Sequence, residues 1–263
     1  MGLIRLGGGT SLTLPRGYID GLNIGNGPVD TQHDIQFGAG ACRGANNNEN
    51  IIETVGSIKQ IDAAWAAGNN AGGLFTGSVA ADTWYHAFAI KNDAGGAAEF
   101  GFDTNVNAGN RPAGYTPFRR LGSVLTDGSS NLLGFTQYWN FFLWDDPPQD
   151  VDDSTLGTSA QLYTLSVPID VIVFVWCNVR SATGAAVVEG VYISPTWADD
   201  EAPQRTNGAP LSTLRSWDNT GGGVVHKTRF MTDASAQIRA RSDQANTILR
   251  IATLGWEDPR GTF

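Results

Sequence analysis

Apolar and polar residues alternate along most of this chain with a period of two, in short runs broken by Gly, Pro, Asn and Asp; this is the pattern of half-buried strands joined by turns. Trp84-Tyr-His-Ala-Phe-Ala-Ile90 predicts a strand, Asn92 to Gly96 a long turn, and Ala98-Glu-Phe-Gly-Phe102 the returning strand of a hairpin. Ile51 to Ile61 predicts a strand covered on both faces. Asp62 is placed to cap a short helical turn over Ala63 to Ala67, which Gly68 ends. After a loop punctuated by Pro112, Gly114 and Pro117, Gly122 to Leu125 predicts a strand. A tight turn over Asp127 to Ser130 joins it to a second, aromatic-rich strand running from Asn131 to Trp144.

The next stretch, Trp144-Asp-Asp-Pro-Pro-Gln-Asp-Val-Asp-Asp153, predicts a linker or exposed loop, because paired prolines fix an extended backbone and the carboxylates repel. Strands then follow at regular spacing: 160–167, 171–180, 186–193, 223–231, 236–241 and 248–254. Val171 to Cys177 is apolar at every position and predicts the central strand of a second core. The connection from Pro195 to Asn219 is too long for an ordinary turn and reads as a specialised loop. The pattern as a whole predicts an all-β chain, an antiparallel β-sandwich or jelly roll, either continuous or in two β lobes. Residues 1–17 then form an extended N-terminal arm, 18–147 a β-rich N-terminal lobe and 148–263 a C-terminal β-sandwich.

Composition agrees with strands and turns: among 263 residues are 33 glycines and 11 prolines, and only 16% are charged. A net charge of −9 argues against nucleic acid or an anionic membrane surface as partner, since both are bound through Lys and Arg. Cys42 and Cys177 lie far apart, without a CxxC, and read as buried thiols. The N-terminal stretch has no apolar region of signal-peptide length and no apolar run is long enough to span a bilayer, so the expectation is cytoplasmic synthesis and assembly without membrane insertion.

No arrangement of residue types points to catalysis. His33, His86 and His226 are too widely spaced for a zinc signature, His86 reads as a core or interface residue, and no GxSxG elbow occurs. Gly38-Ala-Gly40 with Gly44 has GxGxxxG spacing and no helical pattern after it, so no dinucleotide loop is expected. The acidic clusters Asp145 to Asp153 and Asp199-Asp-Glu201 lack the DxDxDG spacing of a calcium loop. No catalytic residue, cofactor or metal is therefore assigned. Tryptophans in or near loops can stack on sugars or anchor a protein contact, which makes Trp144, Trp197 and Trp217 the candidate receptor or partner contacts; for the last two, packing is an equal alternative. Trp139 and Phe142 are assigned to the core.

Four phrases carry a resemblance. Pro112-Ala-Gly-Tyr-Thr-Pro-Phe-Arg-Arg-Leu-Gly-Ser123 is similar to a segment of tail-fibre and related virion proteins of tailed bacteriophages. Tyr18-Ile-Asp-Gly-Leu22, Ile61-Asp-Ala-Ala-Trp-Ala-Ala-Gly68 with Gly72-Gly-Leu74, and Thr253-Leu-Gly-Trp-Glu-Asp-Pro-Arg260 resemble the same group in the same order. The resemblance implies a non-enzymatic virion protein, a tail fibre, spike or tip, assembled as a homotrimer and displayed on the particle. By the same resemblance the N-terminal arm, through Leu12, Leu14 and Pro15, docks on other virion proteins. The C-terminal sandwich points outward toward a bacterial surface glycan or protein receptor. A head decoration or head-fibre protein and a lectin-like carbohydrate-binding module are the alternative readings.

Overall fold

The computed structural model describes residues 12–183, 188–204, 212–216 and 223–261. In the first half the strands are β1 (Ile19–Gly21), β2 (Ile24–Asn26), β3 (Asp34–Phe37), β4 (Gly40–Arg43), β5 (Asn50–Glu53), β6 (Ser57–Ala64), β7 (Ala71–Leu74), β8 (Trp84–Lys91), β9 (Ala98–Asp103) and β10 (Phe118–Leu125). There follow β11 (Phe135–Tyr138), β12 (Phe141–Trp144), β13 (Gln149–Leu156), β14 (Gln161–Thr164), β15 (Phe174–Thr183), β16 (Glu189–Pro195), β17 (Leu214–Ser216), β18 (Gly223–Met231), β19 (Gln237–Ser242) and β20 (Thr247–Glu257). The protein is all-β, and among the described residues no helix occurs.

The strands assemble into four sheets: a small β1-β4-β5 sheet, a large one ordered β10-β8-β9-β7-β6-β3-β2, a third ordered β11-β12-β20-β15-β18 with β13 also paired to β20, and a fourth ordered β14-β19-β16-β17. Pairing is antiparallel throughout except at β7, which lies parallel to both β6 and β9. The predicted hairpin of β8 and β9 forms, with Ala87 opposite Phe102. Strand β8 is buried on both faces, because Tyr85, Ala87 and Ala89 join the main core while Phe88 and Ile90 pack with Ala108, Trp65 and Phe75 in a second cluster.

Four expectations from the sequence are corrected. The strand expected over Ile51 to Ile61 is two, β5 and β6, in different sheets, with Gly56 at φ 91° between them. The segment over Ala63 to Ala67 is not helical: β6 runs on through Ala64, and the indole N–H of Trp65 donates to the Phe100 carbonyl across the sheet at 2.9 Å. The aromatic run 131–144 is not one strand paired with 122–125. It is itself a hairpin, β11 against β12, with Tyr138 opposite Phe141 and only Trp139 and Asn140 between the strands. The acidic run after Pro148 is strand β13, and its carboxylates are occupied. Asp150 accepts from the Ser166 amide and hydroxyl (2.7 and 2.6 Å), Asp152 meets Arg250 (2.6 Å), and Asp153 accepts from the Thr155 amide (2.6 Å) and the Tyr163 hydroxyl.

The second-half strands fall close to their predicted positions, and β15 is indeed central, between β20 and β18. One continuous apolar core runs through both halves of the chain, taking Leu22, Phe37 and Phe100 from the first and Val175, Ile251 and Trp256 from the second. The β11-β12 hairpin makes the join: it adds to the third sheet through β20 while Phe142 packs down on Gly122 of β10 and stacks on Trp256 at 5.2 Å.

Candidate functional site

The third sheet turns an apolar face to solvent. Its inner face sends Phe142, Trp144, Val175 and Cys177 into the core. Its outer face carries, in register across the strands, Tyr138 opposite Phe141, Phe141 opposite Glu257, and Glu257 opposite Phe174; one step along, Leu143 lies opposite Gly255 and Gly255 opposite Trp176. Phe141, Leu143 and Phe174 are 37%, 44% and 36% exposed, high for large apolar residues on one contiguous sheet face. The far side of this face is fixed by polar contacts. Arg229 lies 4.3 Å above the Phe174 ring and bonds Glu257 at 2.8 Å, while the Trp176 indole N–H donates to the same carboxylate at 3.0 Å. The patch is therefore preorganised rather than a loose collection of side chains.

At one end the face rises into the hairpin tip. Tyr138 and Trp139 are 67% and 69% exposed, and their rings lie parallel, 5.7 Å apart with 3° between planes. Trp139 sits at φ 57°, in the left-handed region, where a bulky residue costs about 1–3 kcal/mol. Burial returns little of that cost. The tip is held from beneath: the Gln137 side-chain amide donates to the Trp139 carbonyl (2.6 Å) and accepts from the Ile24 amide (2.6 Å), and the Asp258 amide donates to the Asn140 carbonyl (2.8 Å). Beside the tip opens a cleft of about 840 Å³ between the two halves. Phe118, Val171, Ile172 and Met231 supply its apolar lining. Asn46, Asn107, Asn140 and Asp170 stand on its polar side, and their exposed side chains make no hydrogen bond among the described residues.

The sequence picked different tryptophans. Trp144 is buried, its indole N–H donating to the Ser166 carbonyl (2.9 Å) and its ring packed with those of Trp84 and Trp256, so it is removed from the candidate contacts. Trp139, expected in the core, is the exposed one. Phe142 is buried as expected. Trp197 is 53% exposed in the loop after β16. Trp217 lies outside the described residues. In the N-terminal arm, Asn50 holds the Leu12 carbonyl (2.6 Å) and the Leu14 amide (3.2 Å), leaving Leu12 and Pro15 exposed; the arm before Leu12 is outside the described residues.

No protein-family model matches the chain, and no curated protein is significantly similar. The structure nevertheless brings three of the four resembling phrases together in one buried knot. Arg119 donates to the carbonyls of Gly17 (3.1 Å), Arg43 (3.4 Å) and Arg260 (2.8 Å). Arg260 in turn donates to Gly21, Leu22 and Leu121 (3.0, 2.6 and 2.9 Å), and Arg120 makes a two-pronged contact with Asp258 at 2.7 and 2.6 Å. Burial alone would push the Asp258 carboxyl up, but the Arg120 charge and its hydrogen bonds outweigh this and hold it below its ordinary value.

The same knot contains, among the described residues, a pairing of a hydroxyl with an imidazole that suggests a nucleophile. His86 Nδ1 is 2.8 Å from Ser123 Oγ, yet both residues are fully buried. Arg120 donates to both, and burial followed by the Arg120 charge pushes the His86 imidazole down to about 3. A histidine so far from titrating, with no access for substrate, cannot serve as a general base near neutral pH. Cys42 and Cys177 are free and buried, and burial raises both thiols to about 12. Among the described residues no three His, Cys, Asp or Glu side chains gather as a metal site, and no helix is long and apolar enough to cross a membrane.

Proposed function

We propose that the protein is a non-enzymatic structural component of a tailed-phage virion, a tail fibre, spike or tip protein that assembles as a homotrimer and presents its C-terminal sheets to the host surface. One observation carries the assembly part of this reading. The β15 region, apolar at every position from Val171 to Cys177, spends Val173, Val175 and Cys177 on the core but leaves Phe174 on the outer face beside Phe141 and Leu143, while Ile172 opens to the cleft. A second copy of the chain would cover that face, and closed symmetry would leave no copy with it bare. The resembling phrases, three of which meet in the knot that joins the two halves, support the virion setting.

The test is the native mass of the purified chain by light scattering across a dilution series. The expected mass is three times 28.0 kDa. Leu143→Asp, which places a charge on the outer face without touching the core, is expected to yield a folded monomer. A wild-type chain that is monomeric at every concentration would overturn the assembly.

A further inference from the structure

We infer that the Tyr138–Trp139 tip, together with the cleft beside it, is a binding site for an uncharged oligosaccharide. This rests on the reading of the chain as an attachment protein and names what it attaches to. Trp139 is where local stability and sequence disagree. A two-residue hairpin loop favours Gly, Asn or Asp in the left-handed region, yet this position holds the largest side chain and leaves it two-thirds exposed. A residue that strains the backbone and contributes little to the core points to use at the surface.

The geometry selects the ligand class. The Tyr138 and Trp139 rings are stacked on each other over a backbone held by Gln137 and by the Asp258 amide, so each leaves one outer face open, a flat apolar platform of the kind that meets the C–H face of a pyranose. Asn140 directly follows the shelf, and with Asn46, Asn107 and Asp170 it offers free amides and a carboxylate to the hydroxyls of neighbouring sugar units. The guanidinium groups of Arg119 and Arg120, at the floor of the cleft, are committed to backbone carbonyls, Asp258, His86 and Ser123. With those donors committed, and with Asp170, Glu257 and Asp258 against two guanidinium groups in the lining, the site disfavours phosphorylated, sulfated or sialylated chains. A further protein partner would need a contact of roughly 800 Å² per side, more than the tip supplies once a second copy takes the adjoining outer face.

The experiment is a glycan array of neutral hexose and N-acetylhexosamine oligosaccharides, with acidic glycans alongside, probed with the full chain. Wild type is expected to bind neutral glycans. Trp139→Gly, which relieves the backbone strain and removes the shelf, is expected to weaken that binding at least tenfold while raising the urea midpoint, so its loss of binding cannot be ascribed to misfolding. Asn140→Ala, on the cleft side, is expected to weaken it less. Absence of binding to every neutral glycan, a preference for acidic ones, or unchanged affinity in Trp139→Gly overturns the inference. The native mass of the same samples separates it from the assembly reading: a trimer that ignores all neutral sugars overturns the inference alone, and a monomer that binds them through Trp139 overturns the trimer alone.

Discussion

Replacing Asp258 with Asn should test how much of the fold depends on the buried knot. Asp258 and Arg120 are almost wholly buried and joined by two short bonds, and Asp258 Oδ1 also accepts from the Arg260 amide at 2.7 Å. Asn keeps the shape and one acceptor but removes the charge, leaving the Arg120 cation in the core beside a neutral imidazole. Removal of one partner of a buried pair costs about 3–5 kcal/mol, because the survivor's desolvation is no longer compensated. With a urea dependence of ~3 kcal/mol per M, at the upper end for small domains, the midpoint should fall by about 1–2 M. The paired change Arg120→Met with Asp258→Leu should lose markedly less than Asp258→Asn, since it removes both charges and refills the space. The loss should also be nearly independent of salt, as screening ions do not reach a buried pair. A midpoint that moves by under ~0.3 M, or a double variant as weak as the single one, would refute the claim that the uncompensated charge is what matters.

Two further outcomes follow from residues of the same region. His86 stays neutral in the fold, with its imidazole pushed to about 3, whereas in the unfolded chain it protonates near its ordinary 6.5. Its contribution is therefore intact above pH ~6.5 and declines as pH falls toward 3, because the unfolded state takes the proton first. His86→Gln should flatten that part of a stability-versus-pH curve measured by thermal unfolding. At Gly122 an added Cβ would come within 2.6 Å of the Phe142 ring, so Gly122→Ala should destabilise by about 1–3 kcal/mol in urea, through displacement of the hairpin from β10.

How much of this was legible in the sequence depended on whether one face of each strand was wet. β18, β19 and β20 alternate polar with apolar residues, and their limits were readable to within a few positions. The β11-β12 hairpin was not, for two reasons. Its turn, Trp139-Asn140, has neither Gly nor Pro to announce it, and Phe141-Phe-Leu-Trp144 is apolar at every position, so parity along the strand carries no information about which side faces in. Without a turn signal the apex residue Trp139 reads as one more core aromatic, and Trp144 reads as a contact because it borders the acidic run, although it shares the inner face with Phe142. β13 was hidden by its carboxylates, which reside in a strand because Ser166, Tyr163 and Arg250 answer them from elsewhere in the chain and Thr155 from within the strand. Such partners become visible only in three dimensions. The knot was likewise unreadable, since Arg119, Arg120 and Arg260 look in sequence like ordinary surface cations.

The knot has a consequence for how the molecule is made. Arg260 closes on Gly21 and Leu22, partners 239 and 238 positions earlier in the chain, so the first strands receive these hydrogen-bond donors only after everything between them has been synthesised, a contact of very high sequence separation. Until then Arg120 has no Asp258 and Trp84 has no Trp256 to pack against. A product interrupted before that point is thus marked by an open seam and an uncompensated cation, and is exposed to proteolysis.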